Sequence, residues 1–213
     1  GEGRLASGSQ PEIRAVERFD EQATGLWDDL ARAPGHPVAG TRRSSSFLNW
    51  RYAAHPRFRY QLLERRDDGQ LTGLAVFRYE TAHPTWRPPV EEPAQERGVC
   101  LPAPEDIRIA RLVEFIDLPA RAGGHSALLA AVLDAARDAG AAIVDFFCAD
   151  RLTGALMARH GFASGDQTDQ IPCLFQPVDR RRAAVWFLAC GAHAAAPDAW
   201  YVTTGDGDQD RPN

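Results

Sequence analysis

Between Leu112 and Phe162 the chain runs strand, glycine turn, helix, strand, helix, and that order leaves few folds open. Val113-Glu114-Phe115-Ile116-Asp117-Leu118 has the β-branched and aromatic content of a strand, and Pro119, which cannot donate to a ladder, stops it. Arg121-Ala122-Gly123-Gly124-His125-Ser126 follows as a tight turn. Leu128, Leu129, Val132, Leu133 and Ala136 then recur at helical spacing, with Asp134, Arg137 and Asp138 on the other side and a stop at Gly140. Ile143-Val144-Asp145-Phe146-Phe147 reads as a second buried strand. Two strands joined by a crossover helix lie parallel in one sheet. The turn between them presents backbone N–H groups at a helix N-terminus, a place suited to an anion and most often to a phosphate.

The rest of the chain supplies neighbours for that unit. Glu12 to Val16 alternates like a first strand, and Glu21 to Ala33 is helical, with Leu26, Trp27, Leu30 and Ala31 as its apolar face. Ser44-Ser45-Ser46 offers a cap to a short helix, Phe47 to Tyr52, which ends at His55-Pro56. Phe58 to Arg66 and Leu71 to Tyr79 flank Asp67-Asp68-Gly69-Gln70, a hairpin signal. Thr81 to Asp106 carries Pro84, Pro88, Pro89, Pro93, Pro102 and Pro104 and reads as a long irregular loop. Leu152 to His160 is a further helix, Cys173 to Phe175 a short strand, Ala183 to Cys190 a helical turn or two, and Trp200 to Thr203 a last strand. The expected organisation is a flexible N-terminus (1–11), one domain (12–204) and an acidic tail (205–213). The expected fold class is α/β (α+β): a mixed sheet, antiparallel at its start and parallel in the middle, covered by helices.

With 213 residues and 44% hydrophobic content, there is material for one core of ordinary size. No apolar run approaches the roughly 18 residues of a membrane span, and without a positively charged start and an apolar h-region no secretory signal is expected. A formal charge of −5 argues against general nucleic-acid binding. All 24 Lys+Arg positions are arginine, as a GC-rich genome would give. Cys100, Cys148, Cys173 and Cys190 form no CxxC pair, which argues for free thiols in a reducing cytoplasm and against zinc or any other metal. Nucleotide hydrolysis lacks its G-x-x-x-x-G-K-[ST] sequence, and dinucleotide binding lacks G-x-G-x-x-G.

The element order, with a glycine turn after the fourth strand, resembles the Gcn5-related N-acetyltransferase superfamily from Ile13 to Val202. Arg121-x-x-Gly124-x-Ser126 is similar to that family's acyl-CoA loop, Q/R-x-x-G-x-G/A, except for the final serine. Asp150 stands where the family often has a cofactor-contacting Asn, and Met157 where many members have a Tyr that protonates the departing thiolate. Gly161-Phe162 keeps the family spacing. Leu48-Asn49-Trp50-Arg51-Tyr52 and Gly205-Asp206-Gly207-Asp208 resemble members found with bacterial polysaccharide biosynthesis.

The resemblance implies an acyl-CoA-dependent N-acyltransferase, with acetyl-CoA as cofactor and a small-molecule or sugar-linked primary amine as acceptor. Arg121, Ala122, Gly123, Gly124, His125, Ser126 and Asp150 would then contact the cofactor, the turn's glycines allowing close backbone approach to a pyrophosphate. A plain strand-to-helix turn, with glycines that only permit tight packing, is the other reading of the same residues. Glu114 and Asp117 are the candidate bases; they differ in parity, so a regular strand presents only one of them to a given face. Trp50, Arg51 and Tyr52, with Arg57 and Arg59 nearby, would line the acceptor side and suit an anionic acceptor. His160 reads as a cation at a helix C-terminus. The alternative is a module that keeps the fold, binds acyl-CoA or a protein partner, and has lost turnover; Met157 and Asp150 favour it. Trp200 to Thr203, as an edge strand, would offer a surface for a homodimer.

Overall fold

Five strands form one sheet in chain order: β1 (Glu12–Val16), β2 (Gln61–Asp67), β3 (Gln70–Ala82), β4 (Ile107–Asp117) and β5 (Ile143–Phe146). The computed structural model describes residues 10–34, 38–82, 106–121, 123–163 and 199–206. Every neighbouring pair is antiparallel except β4 and β5, which are parallel, from Ile109 opposite Ile143 to Leu112 opposite Phe146. This is the mixed sheet expected from the sequence. The β2–β3 hairpin turns through Asp68 and Gly69, both at positive φ, as a two-residue turn requires.

Helices cover both faces. Helix α1 (Gln22–Ala31) buries Ala23, Leu26, Trp27 and Leu30. Helix α2 (Ser45–Leu48) is capped by the Ser44 hydroxyl and continues as a π-helical turn, Asn49–Ala53. Asn49 ties that turn to the approach to α1 by bonding both the N–H and the C=O of Phe19, at 2.9 and 2.8 Å. These elements pack on one sheet face with Leu74, Val76, Val113 and Ile116. Helices α3 (Leu118–Arg121), α4 (Ala127–Asp138) and α5 (Arg151–Arg159) lie at the other face. There Leu128, Leu129, Val132, Leu156 and Met157 meet Ala75, Phe77, Leu112 and Phe115.

One irregularity sets the central strand. Val76 pairs with Glu114 but Phe77 pairs with Leu112, so Val113 is an extra residue, a β-bulge in β4. Val113 lies in the α1/α2 core while Leu112 and Phe115 lie in the α4/α5 core. The bulge comes where β4 outruns β5, because parallel pairing ends at Leu112 and β4 continues to Asp117.

Three expectations change. Strand β4 begins at Ile107, well before Val113, and Pro119 sits in the one-turn helix α3, where its missing N–H is tolerated. Trp200 to Thr203 is not an edge strand; it makes single bridges to Ala39 and Cys148, so its backbone partners come from its own chain. The acidic tail does not start at Gly205, because Gly205 is buried and Asp206 pairs with a buried arginine. The proline-rich stretch from 83 to 105, the strand expected at Cys173, the helical turns expected at Ala183 and Cys100, Cys173 and Cys190 lie outside the described residues.

Candidate functional site

Beyond Leu112, β4 carries two carboxylates to opposite faces, as their parity requires. Glu114 is fully buried on the α1/α2 side. Its carboxylate accepts from Arg43 at 3.1–3.3 Å, the Thr203 hydroxyl at 2.8 Å, the Tyr52 hydroxyl at 3.0 Å and the Tyr201 hydroxyl at 3.2 Å. Arg43, equally buried, also pairs with Asp206 and donates to the Thr41 carbonyl at 2.6 Å. Aromatic rings of Trp27, Phe47 and Tyr201 surround its guanidinium at 5.0–5.9 Å. Burial works against the Arg43 charge, but Glu114 and Asp206 outweigh it and hold its pKa above the ordinary range. Burial, with Glu114 beside them, raises the Tyr52 and Tyr201 phenols well above theirs, so both stay protonated donors.

This network fastens the segment from Trp200 to Asp206 into the space that β4 and β5 leave open. Ala149 N–H bonds the Val202 carbonyl at 3.0 Å on the β5 side. On the β4 side the Tyr201 hydroxyl meets both the N–H and the C=O of Phe115, at 3.2 and 2.8 Å. Gly205 packs so closely that a Cβ there would collide with the Tyr52 hydroxyl. Cys148, half-buried and free of any disulfide, lies alongside, and burial pushes its thiol up.

Asp117 turns toward α4. It accepts from the Ser126 hydroxyl at 2.7 Å, the Arg65 guanidinium at 3.1 Å and the Ala120 N–H at 3.3 Å. Ser126 caps α4 by accepting from Leu129 N–H at 2.9 Å. Both functional groups of the Ser126 hydroxyl are thus used within the protein, and the residue is fully buried. The turn is held from inside as well: Gly123 N–H bonds the Ala120 carbonyl and Gly124 N–H the Pro119 carbonyl, each at 3.0 Å. A Cβ at Gly124 would lie 2.6 Å from the Pro119 oxygen, so this glycine is fixed by packing. At Gly123 a Cβ would meet open space. Helix geometry leaves the amides of Ala127 and Leu128 without intrahelical acceptors. An anion at this turn would therefore draw on these first-turn amides and on exposed His125, with the Gly123 and Gly124 donors already committed.

Other expected residues are placed as follows. Asp150 is buried as the cap of α5, accepting from the Thr153 N–H and hydroxyl at 2.9 and 2.5 Å. Met157 is a core side chain beneath α5. Arg121 closes α3, and Ala122 lies outside the described residues. Trp50 is 69% exposed, Arg51 donates to the Gly205 carbonyl at 3.1 Å, and Tyr52 is buried under the Glu114 network. His160 stands at the C-terminus of α5, as expected, and burial, His125 and Arg159 lower its pKa. Its ring meets that of His125 at 5.2 Å beside the turn. Sequence reasoning did not single out Arg43, and it met Tyr201, Thr203 and Asp206 only as parts of a last strand and an acidic ending, not as site residues.

No family model and no curated protein sequence matches this chain. Solved structures that match include a point mutant of the BH1408 protein from Bacillus halodurans, 13% identical, with a TM-score of 0.46, over 76% of this chain and 99% of that one. Another is the aminoglycoside N-acetyltransferase AAC(6')-Iy in complex with CoA, 16% identical, with a TM-score of 0.44, over 76% of this chain and 93% of that one. Neither likeness carries information about chemistry.

Proposed function

We propose that the chain is an acyl-CoA-dependent N-acyltransferase that transfers an acetyl group to a primary amine of a small or sugar-linked acceptor. The observation that carries this reading is the end of the β4–β5 ladder at Leu112 and Phe146, with β4 running on past the bulge into a braced turn at the start of α4. That gives one end suited to phosphates, beside a stretch of β4 that has no β5 partner and is bordered by the Trp200–Asp206 segment. Bound acyl-CoA would supply the activated thioester. Arg121, the amides opening α4 and His125 would hold its phosphates. Ser126 acts by capping the helix and Asp150 by capping α5, so both position the site from behind. Trp50 and Arg51 would orient the acceptor, and Tyr52 forms its floor. Positioning is the main contribution these residues make, a term that can supply roughly 7–11 kcal/mol.

Neither carboxylate is arranged as a free base. Glu114 sets the positions of Tyr52, Tyr201 and Arg43, and Asp117 sets the turn, so each is a positioning residue in this reading. Met157 cannot donate a proton, so the leaving thiolate, with a solution pKa of about 8.5, takes one from water, and the proton shed by the attacking amine goes to the hydroxide so formed.

A second reading has its own observation. The Tyr201 hydroxyl occupies the Phe115 N–H, a β4 donor that would otherwise polarise a carbonyl at that edge. A module that binds CoA at the turn without turnover is consistent with that contact.

Calorimetric titration of CoA and acetyl-CoA into the protein and an Arg121→Ala/His125→Glu variant separates these readings. Acetyl-CoA binding that the variant loses, followed by acyl transfer to an amine panel, supports the enzyme. Equal binding of CoA and acetyl-CoA with no transfer supports the module. No binding by folded protein removes both.

A further inference from the structure

A cleft of about 550 Å3 opens at the far edge of the sheet from β5, where Val16 of β1 pairs with Leu62 of β2. Its volume is that of a small-molecule site. The walls are aromatic: His55 stacks on Phe58 with centroids 4.8 Å apart and planes at 16°, and Tyr60 stands edge-on to both at 5.7 and 6.3 Å. The Tyr52 ring continues this surface, 5.0 Å from Tyr60. Arg57 and Arg59, both exposed, border the opening, against a single lining carboxylate among the described residues, at Glu17.

The His55 ring is set in one tautomer. Its Nδ1 accepts the N–H groups of Arg57 and Phe58, at 3.2 and 3.0 Å, which places the neutral ring's proton on Nε2. The site therefore offers aromatic rings, with Phe58 held between His55 and the Arg78 guanidinium, and two exposed guanidinium groups at its opening. Guanidinium groups match carboxylate and phosphate oxygens in paired hydrogen bonds and stack on aromatic rings. We propose that this cleft binds a small planar aromatic ring bearing an anionic group, with the ring against Phe58, Tyr60 and His55 and the anion at Arg57 and Arg59. The anionic group is a carboxylate or a phosphate, both of which fit the same guanidinium chemistry.

The cleft also has a physical link to the centre of the molecule. Tyr52 is one of the residues around it, and its buried side chain donates its hydroxyl to Glu114. The proposal does not depend on acyl transfer, because binding here needs no cofactor at the glycine turn.

The test is calorimetry on the whole chain, without CoA, using 4-aminobenzoate, phenyl phosphate, cyclohexanecarboxylate and aniline. The two aromatic anions are expected to bind at least about tenfold tighter than either the saturated acid or the uncharged ring, one charge-assisted contact being worth that factor. The preferred member of the aromatic pair identifies the anion. Arg57→Ser/Arg59→Ser is expected to abolish the difference at an unchanged melting temperature, since both side chains are exposed. Equal binding of all four probes, unchanged binding by the variant, or no binding by folded protein would each overturn the assignment.

Discussion

The Ser126 hydroxyl donates to Asp117 Oδ2 at 2.7 Å while its oxygen accepts the Leu129 N–H at 2.9 Å, so one side chain ties the end of β4 to the start of α4. The turn between them is short, and its glycine amides bond back to α3. Replacing Ser126 by alanine removes the cap and leaves Asp117 a buried carboxylate with one partner fewer. Ser126→Ala is expected to lower stability by about 1–3 kcal/mol, measured by urea denaturation. A smaller loss than Ser44→Ala, which removes a cap at α2 with no buried carboxylate behind it, would argue against the brace.

Asp117 gives that brace a pH dependence. Burial pushes its carboxyl above the ordinary range, against the pull of Ser126, Arg65 and the Ala120 N–H. A carboxyl raised in the folded state holds its proton more tightly there than in the unfolded chain. Its favourable contribution is therefore complete below the ordinary aspartate pKa of about 3.9 and is lost as pH rises through the raised value. Asp117→Asn cannot titrate, so its stability deficit should be greatest in acid and shrink toward neutrality. Denaturation midpoints of both proteins across that range provide the check. A deficit that grows with pH would mean that Arg65 dominates the site.

Local pattern revealed the elements that flank this brace. The apolar repeat of Leu128, Leu129, Val132 and Ala136 is the buried face of α4, and the Asp68-Gly69 hairpin turns where its residues demand. Opposite faces for Glu114 and Asp117 followed from parity alone. The bulge at Val113 left no such trace, because it depends on the register with β3. Arg43 is the clearest omission. It follows Arg42, which is exposed and pairs with Asp28, and nothing in the pair of arginines says which one is buried. Its partners lie 71 and 163 residues away, a separation that writes no periodicity into the chain. The glycine turn was legible as a turn, but its Gly124 proved to be set by the Pro119 carbonyl, a contact that exists only once α3 forms.

The buried pair of Arg43 and Glu114 should behave as a unit. Removing one partner strands the other charge out of water, which typically costs about 3–5 kcal/mol. Arg43→Met is thus expected to destabilise by that amount, and Glu114→Gln by less, because Asp206 still neutralises Arg43. The double variant Arg43→Met/Glu114→Gln should recover part of the loss of Arg43→Met alone. Additive losses in this double-mutant cycle would show that the two side chains contribute separately.

Tyr201 occupies the β4 edge where β5 has ended. Its hydroxyl contacts the Phe115 N–H, the Phe115 carbonyl and Glu114, and the ring packs on Trp27 at 5.6 Å. Tyr201→Phe keeps the ring and removes only the hydroxyl, so stability should fall by about 1–3 kcal/mol through the unpaired buried groups. The Phe115 N–H becomes available in the same step. Under the acyltransferase reading, a thioester carbonyl reaching that edge gains that donor, so the preference for acetyl-CoA over CoA should rise in the variant. Under the module reading, the acyl group never reaches β4 and the ratio of the two affinities stays fixed. Calorimetry with both ligands, on wild type and Tyr201→Phe, reads that ratio directly, and a constant ratio in a folded variant would count against transfer at this strand.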